Sequence, residues 1–138
     1  MIAYTDGSYK KNRNGDYGVG WSYVLLDDDT IAYEDYGSYN AYKEQRNVSG
    51  EIYAVVQLVL YCEEHGIKEL EIHHDYVGIS AWVLGNWKCK QELTIHYKEF
   101  MDDSPLDITF VHVDGHSGDK WNDYVDGLAK LGVEMEGE

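Results

Sequence analysis

The hydrophobic pattern of this chain changes its period once, near Ser49, and that change limits the available folds more than any other feature. Before Ser49 the apolar residues alternate in three β-rich runs, separated by turn signals at residues 14–16 and 27–29. From there to Gly66 they recur at helical spacing, with Ser49 as the expected cap and Gly66 as the expected stop. The apolar positions of this predicted helix are Ile52, Val55, Val56, Val59 and Leu60. The chain is therefore expected to begin with three hairpin-like strands and to continue with a helix.

The remaining predicted elements are both helices and strands. Strand patterns cover residues 68–75 and 106–113, and helical patterns cover 76–87, 91–103 and 119–135. The order β-β-β-α-β-α-α-β-α predicts an α/β fold with a mixed five-stranded sheet flanked by helices. Crossover connections make the later strands parallel and allow the first and fourth strands to be neighbours at the centre. With one proline and no linker-like segment, residues 1–138 are expected to form a single domain.

The start of the chain and its two cysteines indicate the compartment. The N-terminal residues contain Asp6 and no long apolar run, and no segment approaches the roughly 20 apolar residues of a membrane span. A soluble, cytoplasmic protein without membrane contact is therefore expected, with a monomer as the default. Cys62 lies in an apolar helical run and is expected in the core, and a disulfide with Cys89 is not expected in a reducing compartment.

The formal net charge of −15 is unfavourable for binding a polyanion, because phosphate contacts supply much of the affinity for nucleic acids. The basic residues are nevertheless clustered. Eight of the eleven lie in three predicted loops and one helix start: Lys10, Lys11, Arg13, Lys43, Arg46, Lys88, Lys90 and Lys120. Charge alone therefore leaves two interpretations open, a basic face on an acidic body or solvated charges that keep the chain soluble.

Four carboxylates stand out by their positions in the predicted elements. Asp6 lies on the first strand, Glu51 in the first turn of the first helix, Asp75 directly after the fourth strand, and Asp126 within the last helix. If the first and fourth strands are neighbours, the four acids converge at one place, where they would repel one another without a cation. Hard carboxylates suit Mg²⁺ or Mn²⁺, and two such ions can catalyse phosphodiester hydrolysis. Each acid also has a simpler interpretation as a solvated charge, a turn residue or a partner of the helix dipole.

Four segments that contain these acids resemble the four motifs of type I ribonuclease H, in the same order. They are YTDGSY, NVSGEIYAV, IHHDYVGI and HSGDKWNDYVDGLAK, and the resemblance covers essentially the whole chain, most closely to the bacterial and phage branch. It implies a ribonuclease H-like fold and an endoribonuclease that cuts the RNA strand of RNA:DNA hybrids, leaving 5′-phosphate and 3′-hydroxyl ends. It also implies two Mg²⁺ ions as cofactor, with Mn²⁺ as a substitute.

The same resemblance implies roles for individual residues. The four acids would be the metal ligands and catalytic residues, and His116 would assist proton transfer or product release. Asn12 and Asn47 match residues that contact the substrate, and amide side chains suit the RNA 2′-hydroxyl because they both donate and accept. Asn122 matches an asparagine that precedes the last acid, and it is expected to order the loop of His116 beside the substrate.

The sequence departs from the family in the region that grips the hybrid. Well-studied bacterial members carry a basic, tryptophan-bearing insertion after the second helix, whereas this chain has only GNWKCKQ. Val48 also stands where many members have a second amide side chain. Weaker affinity, rather than altered chemistry, is the expected consequence. The remaining expected substrate contacts are Lys10, Arg46, Trp87 and Lys88, with packing under the helix pair as the alternative for Trp87.

Two functions of other classes stay open. The first is a non-catalytic nucleic-acid-binding or scaffold module on the same fold, and the second is an acidic regulator that imitates nucleic acid. A decayed module is expected to lose at least one metal ligand, whereas all four acids are present. An acidic mimic is expected to spread its charge along one face, whereas basic residues here lie beside the motifs. Among enzymes of this fold, the contexts of Asn47 and His116 favour a hybrid nuclease over a resolvase or an integrase.

Overall fold

A computed structural model describes residues 1–115 and 117–135, apart from the side chain of Lys43. In chain order the elements of these residues are β1 (Ile2–Lys11), β2 (Tyr17–Asp27), β3 (Thr30–Ser38), a short 3-10 helix (Lys43–Gln45), α1 (Asn47–Glu64), β4 (Glu69–His74), α2 (Gly78–Leu84), α3 (Glu92–Asp103), β5 (Asp107–His112) and α4 (Lys120–Val133). The predicted order β-β-β-α-β-α-α-β-α is confirmed, and the 3-10 helix is an addition to it.

The strands form one mixed sheet in the order β3-β2-β1-β4-β5. β1 pairs antiparallel with β2, and β2 with β3, as short turns between successive strands require. β4 lies parallel to β1 on its other side, and β5 lies parallel to β4, because helices connect these strands. The predicted adjacency of the first and fourth strands is therefore confirmed, and with it the fold class.

Alternate residues of β1 point to opposite faces of the sheet, and each face packs against helices. Ala3 belongs to the larger apolar cluster, to which α1 contributes side chains such as Val55 and Leu58. Tyr4 belongs to a smaller cluster together with Val125 of α4. Both helices pack directly on β1 and β2. Side chains from α1 and α4 can therefore reach the central strand from opposite faces.

Gly7 and Gly50 allow the first turn of α1 to lie directly against the sheet. A Cβ at Gly7 would collide with the backbone nitrogen of Glu51, and a Cβ at Gly50 would collide with the backbone oxygen of Gly20. Such close approach of two backbones is open only to a residue without a side chain. Because Gly7 follows Asp6, this contact brings Glu51 and Asp6 to the same part of the molecule.

The start of α1 differs from the prediction. The helix begins at Asn47, two residues before Ser49, and Arg46 stands at the cap position without a side-chain capping bond. The Ser49 hydroxyl is buried and donates to the carbonyl of Arg46 at 2.7 Å, so it does not accept from a free N–H at the helix start. The expected cap at Ser49 was therefore wrong. Leu60, expected on the apolar face, is exposed because it turns away from the sheet.

The second helix is shorter than the predicted 76–87. It ends at Leu84, and the following Gly85 has a φ of 85°, in the left-handed region that glycine adopts after helix ends. Trp87 therefore lies in the loop beyond α2 rather than on the helix, with its backbone N–H donating to the carbonyl of Ala81 at 3.0 Å.

Cys62 is buried in the core, as expected from the apolar run around it. Both Cys62 and Cys89 are free thiols, and Cys89 is half-buried. None of the helices within the described ranges is long and apolar enough to cross a membrane.

Candidate active site

Three of the four acids lie together at the centre of the sheet. The parallel pairing of Tyr4 with His73 places Asp6 and Asp75 at the same level, because each comes two residues later, Asp6 on β1 and Asp75 directly after β4. Glu51 reaches the same place from the start of α1. One carboxylate oxygen from each of these three acids lies within 4.8 Å of the other two. The fold therefore brings together residues that are far apart in the sequence.

Glu51 is fixed at one carboxylate oxygen and open at the other. Its Oε1 accepts a hydrogen bond from the backbone N–H of Gly7 at 2.8 Å, and the residue is only 2% exposed. Its Oε2 is buried and has no hydrogen-bond partner among the described residues. A buried carboxylate oxygen without a partner is costly unless a proton or a cation satisfies it. The open oxygen, beside two further carboxylates, therefore fits a metal ligand.

Burial and mutual repulsion raise the pKa of all three acids. Burial raises the pKa of Asp6 to about 7, and the negative charge of Asp75 acts in the same direction. Burial, followed by the charge of Asp6, raises the pKa of Glu51 well above its ordinary value. Burial and then the charge of Asp126 raise the pKa of Asp75. Without a cation the cluster therefore holds protons near neutral pH, and a divalent cation can replace them.

Asp126 lies on the rim of the same site. It lines, from α4, the cleft of about 300 Å³ that the three converging acids also line. Its Oδ2 lies 2.9 Å from Nζ of Lys130, one turn further along the helix. The structure thus places all four acids around one cleft, with three of them converging and the fourth paired with a lysine.

Two of the expected substrate contacts, Asn47 and Asn122, line this cleft. Asn47 is exposed at the first position of α1. Asn122 is buried in the first turn of α4, where Asp119 caps the helix by accepting from the Asn122 backbone N–H at 3.0 Å. A hydrogen bond from the Asn122 side chain lowers the pKa of Asp75 and so partly offsets burial. Asn122 thus contacts Asp75, a candidate metal ligand. Its expected role in ordering the loop of His116 stays a prediction, because His116 lies outside the described residues.

Two other expected contacts, Lys10 and Asn12, make structural contacts instead of lining the cleft. Lys10 lies on β1 rather than in a loop, and its Nζ is 3.3 Å from Oε2 of Glu134, just after α4. Asn12 is buried in the turn between β1 and β2, where its Oδ1 accepts from the backbone N–H groups of Asn14 and Asp16 at 2.9 and 3.0 Å. The structure brings neither side chain to the converging acids.

Trp87 and Lys88 are exposed in the loop after α2. The Trp87 ring packs edge-on against Trp82, with centroids 5.5 Å apart, and against Tyr76 at 6.2 Å. Tyr76 lines the cleft, and Trp82 packs against the core. A series of aromatic rings therefore connects the cleft with this loop, so Trp87 is both a packing residue and an exposed surface close to the cleft lining.

Sequence reasoning named Arg46 as a substrate contact but missed the series of alternating basic and aromatic side chains to which it belongs, near the start of α1. The guanidinium of Arg46 lies 5.8 Å from the ring centroid of Tyr9, and that ring stacks on Tyr17 at 5.2 Å. Nζ of Lys11 lies 5.7 Å from the Tyr17 ring. Tyr9 and Lys11 follow Gly7 at alternate positions of β1, so they share the face on which α1 begins. We call these four residues the basic-aromatic strip, and the period of two in β1 is the signal that could have found it.

The mixed sheet, with helices on both faces and carboxylates converging at its centre, has the ribonuclease H fold. RNase H1 from the halophilic archaeon Halobacterium salinarum superposes with a TM-score of 0.75 at 20% identity, covering 96% of both chains. LC11-RNase H1, solved in complex with an RNA/DNA hybrid, superposes with a TM-score of 0.76 at 19% identity, also covering 96% of both chains. These likenesses establish the fold.

Sequence comparison then gives the family. The RNase H family profile matches residues 1–134. The ribonuclease H of Ruthia magnifica subsp. Calyptogena magnifica is 29% identical over 150 aligned positions, covering 97% of this chain and 95% of that protein. The chain therefore belongs to the ribonuclease H family, which confirms the resemblance drawn from the four motifs.

Proposed function

We propose that the chain hydrolyses the RNA strand of RNA:DNA hybrids at the cleft formed by Asp6, Glu51 and Asp75, with Asp126 as the fourth acid. The observation that carries this proposal is the buried, unpartnered Oε2 of Glu51 beside two further carboxylates. A cluster of solvated surface acids has no such oxygen, because water satisfies its lone pairs. Residues 1–138 act as one domain in this proposal, consistent with a single sheet whose strands span residues 2–112.

We assign two divalent cations to this cleft as the cofactor. They are Mg²⁺ ions, for which Mn²⁺ can substitute. The donors are hard carboxylate oxygens, which these ions prefer to nitrogen or sulfur. Asp6, Glu51 and Asp75 would hold the ions, and Asp126 would complete the donor set. When bound, the ions supply positive charge that favours ionisation of water and stabilises the phosphodiester as it gains negative charge.

The reaction is a displacement at phosphorus. A water oxygen forms a bond to phosphorus, the bond to the 3′ oxygen breaks, and a proton reaches that oxygen, which gives 5′-phosphate and 3′-hydroxyl ends. Glu51 keeps its second oxygen in place through the bond to Gly7, and Asn122 holds Asp75 through its side chain. His116, which lies outside the described residues, is assigned to proton transfer or product release on the strength of its HSG motif.

The substrate is expected to lie across the cleft and the surfaces beside it. Asn47 on the rim can both donate to and accept from the 2′-hydroxyl that separates RNA from DNA. The basic-aromatic strip begins at the preceding residue, Arg46, and offers cations to phosphates and tyrosine rings to the sugars. Trp87 and Lys88 add an exposed ring and a further cation. On a chain with a net charge of −15, such local clusters supply the positive charge that a polyanion requires.

The test is the cleavage of an end-labelled RNA:DNA hybrid beside single-stranded RNA and duplex RNA, in magnesium and in chelator. Asp75→Asn is the site variant, and Asp102→Asn, which changes an exposed acid on α3, is its control. We expect cleavage of the hybrid's RNA strand alone, lost in chelator and in Asp75→Asn but retained in Asp102→Asn. Binding of the hybrid without cleavage in magnesium or manganese would contradict the proposal and favour a non-catalytic module.

A further inference from the structure

A lysine is paired with the fourth acid of the cleft. Nζ of Lys130 lies 2.9 Å from Oδ2 of Asp126, four residues earlier on α4. Asp126 lines the cleft, whereas the three oxygens within 4.8 Å of one another belong to Asp6, Glu51 and Asp75. The structure thus divides the acids into a converging group of three and a fourth that already has a cation from the protein.

A second lysine–aspartate pair of the same spacing shows why this one is unusual. Lys98 and Asp102 lie four residues apart on α3, with 3.1 Å between Nζ and Oδ2. Such pairs on a solvated helix surface contribute little to stability. Asp126 of the first pair, by contrast, lines the cleft. The hydrogen bond to Asp126, together with the more distant charge of Asp6, raises the pKa of Lys130. Lys130 therefore lies in the electrostatic field of the acidic site.

We propose that Lys130 is a positioning residue that holds Asp126 until a divalent cation displaces its ammonium group. This inference rests on the proposed function, since it takes the cleft as a metal site. An ammonium group in contact with Oδ2 competes with a cation for the Asp126 carboxylate, and the two positive charges repel each other. Lys130 therefore weakens cation binding at the fourth acid and helps to set the magnesium concentration at which the enzyme works.

Calorimetric titration of the full chain with Mn²⁺ tests this inference without requiring catalysis. Lys130→Met removes the charge, Lys130→Arg retains it, and Lys98→Met removes the lysine of the comparable surface pair. We expect Lys130→Met to tighten the binding of the weakest-bound Mn²⁺ by about three- to ten-fold, because one positive charge near the cation is removed. Lys130→Arg and Lys98→Met should leave the affinity unchanged. The magnesium concentration for half-maximal hybrid cleavage should fall in parallel in Lys130→Met.

The Asp126→Asn background separates an effect through Asp126 from a general effect of charge. If Lys130 acts through this carboxylate, Lys130→Met should have no effect on Mn²⁺ affinity once the carboxylate is gone. Circular dichroism checks that each variant is folded, and Lys130→Gln replaces Lys130→Met if the latter unfolds.

Three outcomes would overturn the inference: an unchanged Mn²⁺ affinity in Lys130→Met, a weaker one, or a tightening that persists in Asp126→Asn. Each of these, with normal Mn²⁺ binding by the wild-type protein, leaves the proposed function standing. A wild-type protein that binds no Mn²⁺ would overturn both the role of Lys130 and the proposed function.

Discussion

Oε1 of Glu51 accepts a 2.8 Å hydrogen bond from the backbone N–H of Gly7, the residue that follows Asp6. This contact joins the first turn of α1 to β1, and it leaves Oε2 of the same carboxylate without a partner among the described residues. Because the donor is a backbone group on a central strand, the separation of the two acids is set by the main chain. The converging carboxylates are thus held in place by the fold itself.

Replacing Gly7 with alanine should therefore push α1 away from β1. The new Cβ would collide with the backbone nitrogen of Glu51 and lie 2.6 Å from the carbonyl oxygen of Asn47. We expect the free energy of unfolding to fall by about 1–3 kcal/mol and Mn²⁺ binding to weaken, as measured by urea unfolding and calorimetry. Gly127→Ala is the control, because a Cβ there meets no atom within 4 Å. That change should leave stability unchanged or raise it by up to about 1 kcal/mol through helix propensity. A Gly7→Ala protein as stable as the wild type would refute this role for Gly7.

The raised pKa of Asp6 should make the metal-free protein less stable as the pH rises. Its pKa of about 7 in the folded state exceeds the ordinary 3.8, so the folded state keeps a proton that the unfolded state has released. The contribution of this proton to the free energy of unfolding is fully present below the pKa of Asp6 in the unfolded state. It is lost as the pH rises through the pKa of the folded state, and the total loss is on the order of a few kcal/mol. Denaturant unfolding in chelator over this pH range should show the decline. Asp6→Asn should reduce its slope, and an equal slope in the variant would count against the assignment.

A divalent cation should reverse this dependence. Cation binding requires ionised carboxylates, so it competes with protons at the acids whose pKa is raised, above all at Asp6 with its pKa of about 7. The rise in melting temperature on adding Mn²⁺ should therefore grow as the pH increases through neutrality, and protons should appear in the medium in buffer-dependent calorimetry. A stabilisation that is independent of pH would indicate that the ion binds elsewhere on this acidic surface.

The basic-aromatic strip should contribute to hybrid binding but not to metal binding. In the Asp75→Asn background, Lys11→Ala should weaken hybrid affinity and lower the slope of log affinity against log salt by about 0.9, the value for one phosphate contact. Tyr17→Ala should have a smaller effect, about 0.5–1 kcal/mol, because its ring holds the Lys11 ammonium group but brings no charge of its own to a phosphate. Lys68 precedes β4 at the end opposite Asp75, so Lys68→Ala is the control. Equal salt slopes for Lys11→Ala and Lys68→Ala would remove the strip from the substrate surface.

The order of the elements and the adjacency of Asp6 and Asp75 could be predicted because local patterns determine them. The hydrophobic period identifies each strand and helix, and crossover connections then leave few arrangements of five strands. The contact of Lys10 could not be predicted, because its partner Glu134 is 124 positions away in the sequence. Only the packing of α4 on the sheet brings these two side chains together.

Other differences between the predicted and the observed roles of residues arose where a local sequence pattern allowed two interpretations. Asn12 precedes the turn formers Asn14 and Asp16, so its capping of that turn was readable, although the family resemblance indicated a substrate contact. The spacing of four between Asp126 and Lys130 was equally visible. Its importance depends on the orientation of α4, which places one of these two residues on the cleft, and a helical pattern alone does not define that orientation.

Cation binding between Asp6, Glu51 and Asp75 underlies the proposed chemistry, and anomalous diffraction from crystals soaked in manganese chloride would locate the ion directly. We expect an anomalous peak in contact with Oε2 of Glu51 and with an oxygen of each of the other two acids, absent from Glu51→Gln crystals prepared in the same way. A well-defined map without a peak in this cleft, at a manganese concentration that supports hybrid cleavage in solution, would contradict the assignment of the active site.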